Sequence, residues 1–272
     1  MSAKVDIDKC YDVAVKLAQE AGEIVRFAIN KKKNIETKQS NVDLVTETDK
    51  QVEDLLKKGF KEHFPDHCFI GEEGSTNIEF TDAPTWIVDP VDGTMNFVHS
   101  FPYTAISIGL TVDKEVILGV VYNAVLDQMY TGVKGRGAYC NGKKLETSKT
   151  KDLSQALILC ELGSSREPEV MDQVFTNFSA IAWKAHGIRM MGSAALNMCA
   201  IASGHADGYF EYTLHCWDMA GAKIIVEEAG GIVIDPEEKP FNLMNRRLIC
   251  ASSPELAHSL SGELKHMQFP HD

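Results

Sequence analysis

The chain has no uninterrupted apolar run of about 18 residues, the length a membrane-spanning helix needs, and its opening residues, MSAKVDIDKC, carry neither the apolar stretch nor the small-residue cleavage site of a secretory signal. A soluble, cytoplasmic protein is the expectation. Paired cysteines are missing too. The seven cysteines (Cys10, Cys68, Cys140, Cys160, Cys199, Cys216 and Cys250) are scattered, odd in number and free of any Cys-x-x-Cys spacing, which argues against a disulfide framework and against a zinc knuckle. Basic stretches are equally scarce. Lys31-Lys32-Lys33 is the one basic run in a chain of formal charge -12, and it reads as a solvated helix end; nucleic acid and anionic membranes are therefore not expected as partners.

Several familiar catalytic patterns are also lacking. The nine histidines show no His-Glu-x-x-His spacing, and Gly192-Ser193-Ala194 does not have the Gly-x-Ser-x-Gly form of a nucleophile elbow. Residues 137–144 (GAYCNGKK) approach a phosphate-binding P-loop, but the final Ser or Thr is absent and Asn141-Gly142 announces a hairpin, not a helix.

What is present is ample core and a regular alternation of elements. With 272 residues, 44% of them apolar, the chain can bury a full core. Apolar positions from Cys10 through Ala28 repeat with a helical period, and Thr48 with Gln51 reads as a capping box for a second helix that carries Val52, Leu55, Leu56 and Phe60. Strands are expected at 69–71 and 86–88, then repeatedly between 104 and 133. The second half alternates: strands at 156–160, 206–212, 232–234 and 248–250, helices near 170–178, 194–202 and 219–229. A layered, mixed α/β architecture follows.

The acids are the feature that turn chemistry does not explain. Residues 86–97 (WIVDPVDGTMNF) place Asp89 and Asp92 around a proline at a strand end, Glu72 follows another strand, Asp49 falls in the first turn of a helix, and Asp218 opens a third. Singly, each is an ordinary turn or cap residue. Together, Glu72, Asp89, Asp92 and Asp218, four carboxylates delivered to strand ends or helix starts without Lys or Arg beside them, suggest a centre for hard divalent cations, which take oxygen ligands and seldom imidazole or thiolate. Gly93 and Thr94 then open what reads as a helix, whose free amides suit a phosphate.

These residues resemble the inositol monophosphatase family. The match runs through 42–49 (VDLVTETD), 69–73 (FIGEE), 86–97, 161–166 (ELGSSR), 186–189 (HGIR) and 215–221 (HCWDMAG). The resemblance implies a Mg²⁺-dependent, Li⁺-sensitive phosphomonoesterase, usually a homodimer, with the layered α-β-α-β-α fold shared with fructose-bisphosphatases. It implies one domain over 1–272, with a metal- and phosphate-binding half (1–145) and a substrate-side half (146–272). By position, Glu72, Asp89 and the Val91 carbonyl would hold a first metal, and Asp89, Asp92 and Asp218 a second. Glu72 would also help place a third, weaker ion. Thr94, paired with Asp49, would orient and deprotonate the attacking water. The amides of Gly93 and Thr94 would bind phosphate oxygens, Asp92 and Asp218 would also border the substrate, and Glu211 would meet inositol hydroxyls in a pocket lined by Ala194 and Ser165. Lys38 matches a family position on a segment near the metals. Val91 and Met95 depart from the family's more frequent residues without touching the acids.

Two rival readings compete with it. A covalent aspartyl phosphatase needs its nucleophile and acid two positions apart, whereas Asp89 and Asp92 stand three apart around Pro90. A non-catalytic inositol-phosphate-binding protein would be expected to have lost one of Glu72, Asp89, Asp92, Thr94 or Asp218, and all five are present. Within the hydrolases, other sugar phosphates or nucleotide bisphosphates remain alternative substrates.

Overall fold

The computed structural model describes residues 5–37, 44–74 and 79–272. Lys38 and residues 42–43 of the family-like stretch lie outside them. The chain starts with helix α1 (Ile7–Ala28), whose Cys10, Val13, Ala14, Leu17, Ala18, Ala21 and Val25 form one buried face, and whose first turn is capped by the Asp6 side chain accepting from the Lys9 amide at 3.1 Å. Strands β1 (Ile35–Thr37) and β2 (Leu44–Thr46) pair as a short antiparallel ribbon that leads into α2 (Glu47–His63). The α2 cap differs from the sequence expectation. Thr46, not Thr48, is the cap residue, and its box partner is Asp49, not Gln51: the Thr46 amide donates to Asp49 Oδ2 at 3.0 Å. Moving the cap back two residues places Asp49 at the third helical position, where one oxygen of its carboxylate is consumed in the cap and the other meets Thr94 Oγ1 at 3.3 Å.

There follow β3 (Cys68–Gly71), β4 (Thr85–Asp92), the short helix α3 (Thr94–Val98), β5 (Ala105–Val112), β6 (Glu115–Asn123), β7 (Gln128–Val133), β8 (Gly137–Cys140) and β9 (Lys143–Lys144). These strands form one seven-stranded sheet in sequence order, with β3 and β4 parallel and the remaining pairs antiparallel. The P-loop-like stretch is a hairpin, Asn141 and Gly142 both adopting positive φ between β8 and β9.

The rest of the chain gives β10 (Leu157–Cys160), α4 (Pro168–Ala182), β11 (Gly187–Arg189), α5 (Ala194–Ala202), β12 (Gly208–Tyr212), α6 (Cys216–Glu228), β13 (Ile232–Ile234), β14 (Arg247–Ala251) and α7 (Pro254–Glu263). Its five strands are ordered β11-β10-β12-β14-β13. Neither β11 nor α7 is anticipated by periodicity, being a three-residue edge strand and a helix behind a Ser-Pro cap. Helix α6 starts at Cys216, three residues earlier than its apolar pattern indicates.

Three apolar cores separate five layers. One packs α1 and α2 against the outer face of the seven-stranded sheet, with the Phe60 ring stacked on Trp86 at 4.0 Å. A second joins α5 and α6 to the inner faces of both sheets, and a third sets α4 and α7 against the far face of the smaller sheet. The order α-β-α-β-α is the layered architecture expected. Helix α6 lies unusually near the larger sheet: a Cβ on Gly119 of β6 would meet the Gly221 carbonyl oxygen at 1.9 Å, so only glycine permits the approach. Among the described residues no helix is long and apolar enough to cross a membrane.

Candidate active site

The end of β4 builds the centre of the site. The strand is fully buried through Asp92, and Pro90, which has no amide hydrogen to give the neighbouring strand, coincides with a register shift against β5 between Asp89 and Asp92. The distortion turns both aspartates toward the same space. Asp89 Oδ1 accepts the Val91 amide at 2.9 Å, closing a tight local turn. Gly93 follows at φ 86 with its site for a Cβ only 2.9 Å from the Gly192 carbonyl, so the sharp change of direction into α3 requires glycine for both conformation and space. Among the described residues, the Gly93 and Thr94 amides donate to no acceptor.

Helix α6 brings the third acid. His215 and Asp218 form its capping box, the His215 amide donating to Asp218 Oδ2 at 2.7 Å. The His215 ring stacks on Trp217 at 4.6 Å, and Asp272 braces the same turn by taking the Cys216 amide at 2.7 Å and the His215 ring nitrogen at 2.6 Å. Oxygens of Asp89, Asp92 and Asp218 thereby lie within 4.8 Å of one another.

Such a cluster is electrostatically uncomfortable by itself. Burial holds the Asp89 carboxyl well above the usual range, and the charges of Glu72, Asp92 and Asp218 push in the same direction. Asp92 is pushed up to about 7, by burial first and by Asp218 next, against the stabilising bonds it accepts from the start of α5. Those bonds come from Ser193 Oγ, the Ala194 amide at 3.2 Å and the Ala195 amide at 2.8 Å. Asp218 is raised by burial as well. A multivalent cation among the three would attract each carboxylate and so offset these repulsions and the cost of burial. The donor set is all oxygen, without thiolate or imidazole, which suits magnesium.

Thr94, Asp49, Glu72, Ala194 and Glu211 are each linked to this centre by a hydrogen bond or by charge. Thr94 Oγ1 stands between Asp49 Oδ1 (3.3 Å) and the Val91 carbonyl (3.1 Å). Asp49 is fully buried and pushed up to about 6 by that burial. Glu72 follows β3, and its amide donates to the Val88 carbonyl of β4 at 3.3 Å; its charge is the largest acting on Asp89. Ala194 is the first residue of α5. Glu211 lies on β12 with Tyr209 donating to its Oε2, and burial followed by the charge of Glu161 lifts its carboxyl well above the ordinary range. The Ser165 hydroxyl accepts from the Glu167 amide at 3.2 Å in the turn before α4.

Sequence reasoning gave no role to Ser193, Glu161 or Asn96. The first had a legible signal, a serine directly before an apolar helical run. Glu161 and Asn96 act by long-range bonds to one turn, for which a single sequence carries no sign.

The chain has known relatives. The inositol monophosphatase family profile matches residues 6–268. Inositol monophosphatase 1 of Rattus norvegicus is 50% identical over 268 residues, covering 97% of both chains. Among solved structures, the extragenic suppressor protein suhB from Bartonella henselae superposes with a TM-score of 0.87 at 28% identity, over 94% of this chain and 98% of that one. The inositol monophosphatase from Thermotoga maritima does so with 0.83 at 31% identity, over 93% and 95%. The fold, the convergent acids and this near-complete likeness lead to one conclusion: the chain is a phosphatase and belongs to the inositol monophosphatase family.

Proposed function

We propose that the protein hydrolyses myo-inositol monophosphates to inositol and phosphate, with Mg²⁺ as its cofactor and water as the attacking group. The observation that carries this reading is the convergence of buried Asp89 and Asp92 with half-buried Asp218, acids from two distant parts of the chain, on one point. Glu72, Asp89 and the Val91 carbonyl are suited to hold one ion, and Asp89, Asp92 and Asp218 a second; Glu72 is also the acid available to a third. When bound, Mg²⁺ supplies charge stabilisation on both sides of an in-line displacement and makes hydroxide available near neutral pH.

The chain's own residues do the rest. Thr94 Oγ1 accepts a hydrogen from water while passing its own toward Asp49, the buried carboxylate 3.3 Å away, so this pair orients the nucleophile and takes up its proton. The unengaged Gly93 and Thr94 amides hold phosphoryl oxygens. Glu211 accepts hydrogen bonds from ring hydroxyls, with Ala194 beside it, and Ser165 keeps its hydroxyl hydrogen free to donate to substrate even while capping α4. We further propose inhibition by Li⁺, a cytosolic location, a homodimer, and a single functional domain in which 1–145 supplies the metal- and phosphate-binding half and 146–272 the substrate side.

The test is release of phosphate from inositol 1-phosphate, galactose 1-phosphate and an adenosine bisphosphate, with Mg²⁺ and with excess chelator. Turnover of the inositol ester that depends on Mg²⁺ and leaves no phosphate trapped on Asp89 is expected. Full rates in chelator, or a stable phosphoaspartate, would overturn the reading; preference for another ester would change the substrate while keeping the chemistry.

A further inference from the structure

We propose that Glu161 is a positioning residue that fixes Asp92 through the turn at Met191 and Gly192, with Asn96 as its counterpart on the opposite side of that turn. The inference rests on the reading above, that Asp92 serves a Mg²⁺-dependent phosphatase site.

Glu161 follows directly on β10, at the carboxyl end of the smaller sheet. One of its oxygens, Oε1, accepts three hydrogen bonds: from the Met191 amide at 2.7 Å, the Gly192 amide at 2.8 Å and Asn197 Nδ2 at 2.8 Å. From the other side Asn96, on α3 of the first half, donates through Nδ2 to the Met191 carbonyl at 2.7 Å and the Gly192 carbonyl at 3.2 Å, as well as to the Tyr103 carbonyl at 2.8 Å. The peptide groups of Met191 and Gly192 are thus held by a carboxylate on their N–H side and by an amide on their C=O side.

What this turn controls comes immediately after it. Gly192 has φ 80 and leaves no room for a side chain, a Cβ there falling 2.9 Å from Asn96 Nδ2. The next three residues are Ser193, Ala194 and Ala195, all of which donate to Asp92. Asn197, the third donor to Glu161, sits one turn further into α5, so Glu161 grips both the approach to the helix and its first full turn. A shift of the turn therefore displaces together the three donors that, among the described residues, bond the two oxygens of Asp92. Glu161 is itself half-buried, and that burial raises its carboxyl; withdrawing an acid from water is costly, and three donors on a single oxygen offset it.

The role needs an oxygen acceptor at this position, not a charge. Glu161→Gln keeps that acceptor, so its turnover should stay within about threefold of the wild type, and so should the Mg²⁺ concentration for half-maximal activity. Glu161→Ala and Asn96→Ala should each lower kcat and raise the Mg²⁺ requirement by about 10- to 100-fold, the usual loss when a ligand's supporting bonds are removed, with KM for inositol 1-phosphate moving less than about threefold. Independent of turnover, the upward shift of the unfolding temperature on adding Mg²⁺ should shrink in both alanine variants and persist in Glu161→Gln. Because both side chains act on one turn, the double alanine variant should fall short of the product of the single effects.

The proposal is overturned if Glu161→Ala keeps kcat and the Mg²⁺-induced shift, if Glu161→Gln falls as far as the alanine variant, or if the dominant change is in KM, which would make Glu161 a direct contact of the substrate. Should Glu161→Ala not fold, Asn96→Ala and Glu161→Gln decide the matter by the same readouts. A wild-type protein without Mg²⁺-dependent turnover would instead defeat the functional reading on which this rests.

Discussion

Replacing Asp89 by asparagine should make the metal-free protein more stable while destroying its activity. The three aspartates present oxygens within 4.8 Å of one another, and two unit charges at that separation repel by about 3.5 kcal/mol at an effective dielectric constant near 20. Asp89→Asn removes two of the three repulsions, and the asparagine carbonyl can still accept the Val91 amide that Asp89 now holds at 2.9 Å. The protein escapes part of the repulsion by taking up protons, which sets the size of the effect. Asp92 is pushed from 3.8 to about 7, so keeping it ionised above that pH costs the folded state about 4 kcal/mol, a cost shared among the coupled acids. The sign follows from a folded-state value above the unfolded one: the folded chain retains protons that the unfolded chain has released. In chelator, this contribution therefore falls as pH rises from about 4 to about 7 and stays low beyond.

Urea or thermal unfolding in chelator at pH 8 should find Asp89→Asn more stable than the wild type by about 2–4 kcal/mol, several degrees in unfolding temperature for a chain of this length. The advantage should shrink at pH 5.5, where the wild type is already partly protonated. Adding Mg²⁺ should stabilise the wild type by mass action and the variant far less, and phosphate release should be lost. A variant no more stable than the wild type in chelator at pH 8, or one stabilised equally by Mg²⁺, would refute the reasoning.

Other consequences are open to direct measurement. Thr94→Ala should lower kcat by about 10²- to 10⁴-fold with the fold intact, because it removes the hydroxyl between Asp49 and the Val91 carbonyl, while Thr94→Ser should retain most of the rate; circular dichroism and phosphate release check both. Thr213 adopts φ 68 and buries an unpartnered hydroxyl, an expensive combination for a β-branched residue. Thr213→Gly should raise stability by about 1 kcal/mol after the glycine's extra chain entropy is deducted, and calorimetry that finds a loss would count against it. Asp272→Ala removes the brace on the first turn of α6 and should cost about 1–2 kcal/mol, together with a higher Mg²⁺ requirement, since Asp218 lies in that turn.

The long amphipathic helices α1 and α2 were readable because one face of each is buried, and α5, apolar and buried nearly all round, occupies the expected positions closely. Elements shorter than two periods or dependent on neighbours were not: β11 exists because it lies alongside β10, and α6 begins three residues before its apolar pattern since Cys216, Trp217 and Asp218 are organised by the cap and by Asp272. The cap of α2 was misplaced for a related reason. Thr46 and Thr48 are equally good cap residues by composition, and the structure chooses the one that lets Asp49 close the box and still reach Thr94. At the site, the residue types and spacing around Pro90 marked Asp89 and Asp92, and acids at element ends grouped Glu72 and Asp218 with them, whereas which acids share one ion is a tertiary fact that only the resemblance specified. The network behind them, Ser193, Glu161 and Asn96, depends on distances between segments about 30 to 100 positions apart, which no local pattern encodes.

The near-contact of Gly119 with Gly221 also bears on how such an enzyme can diversify. A helix seated against a sheet with no clearance can neither tilt nor slide to admit a bulkier guest, and α6 brings Asp218 with it. Any displacement at this contact is passed on to Asp218, and the bearing surface forbids even a methyl group at Gly119.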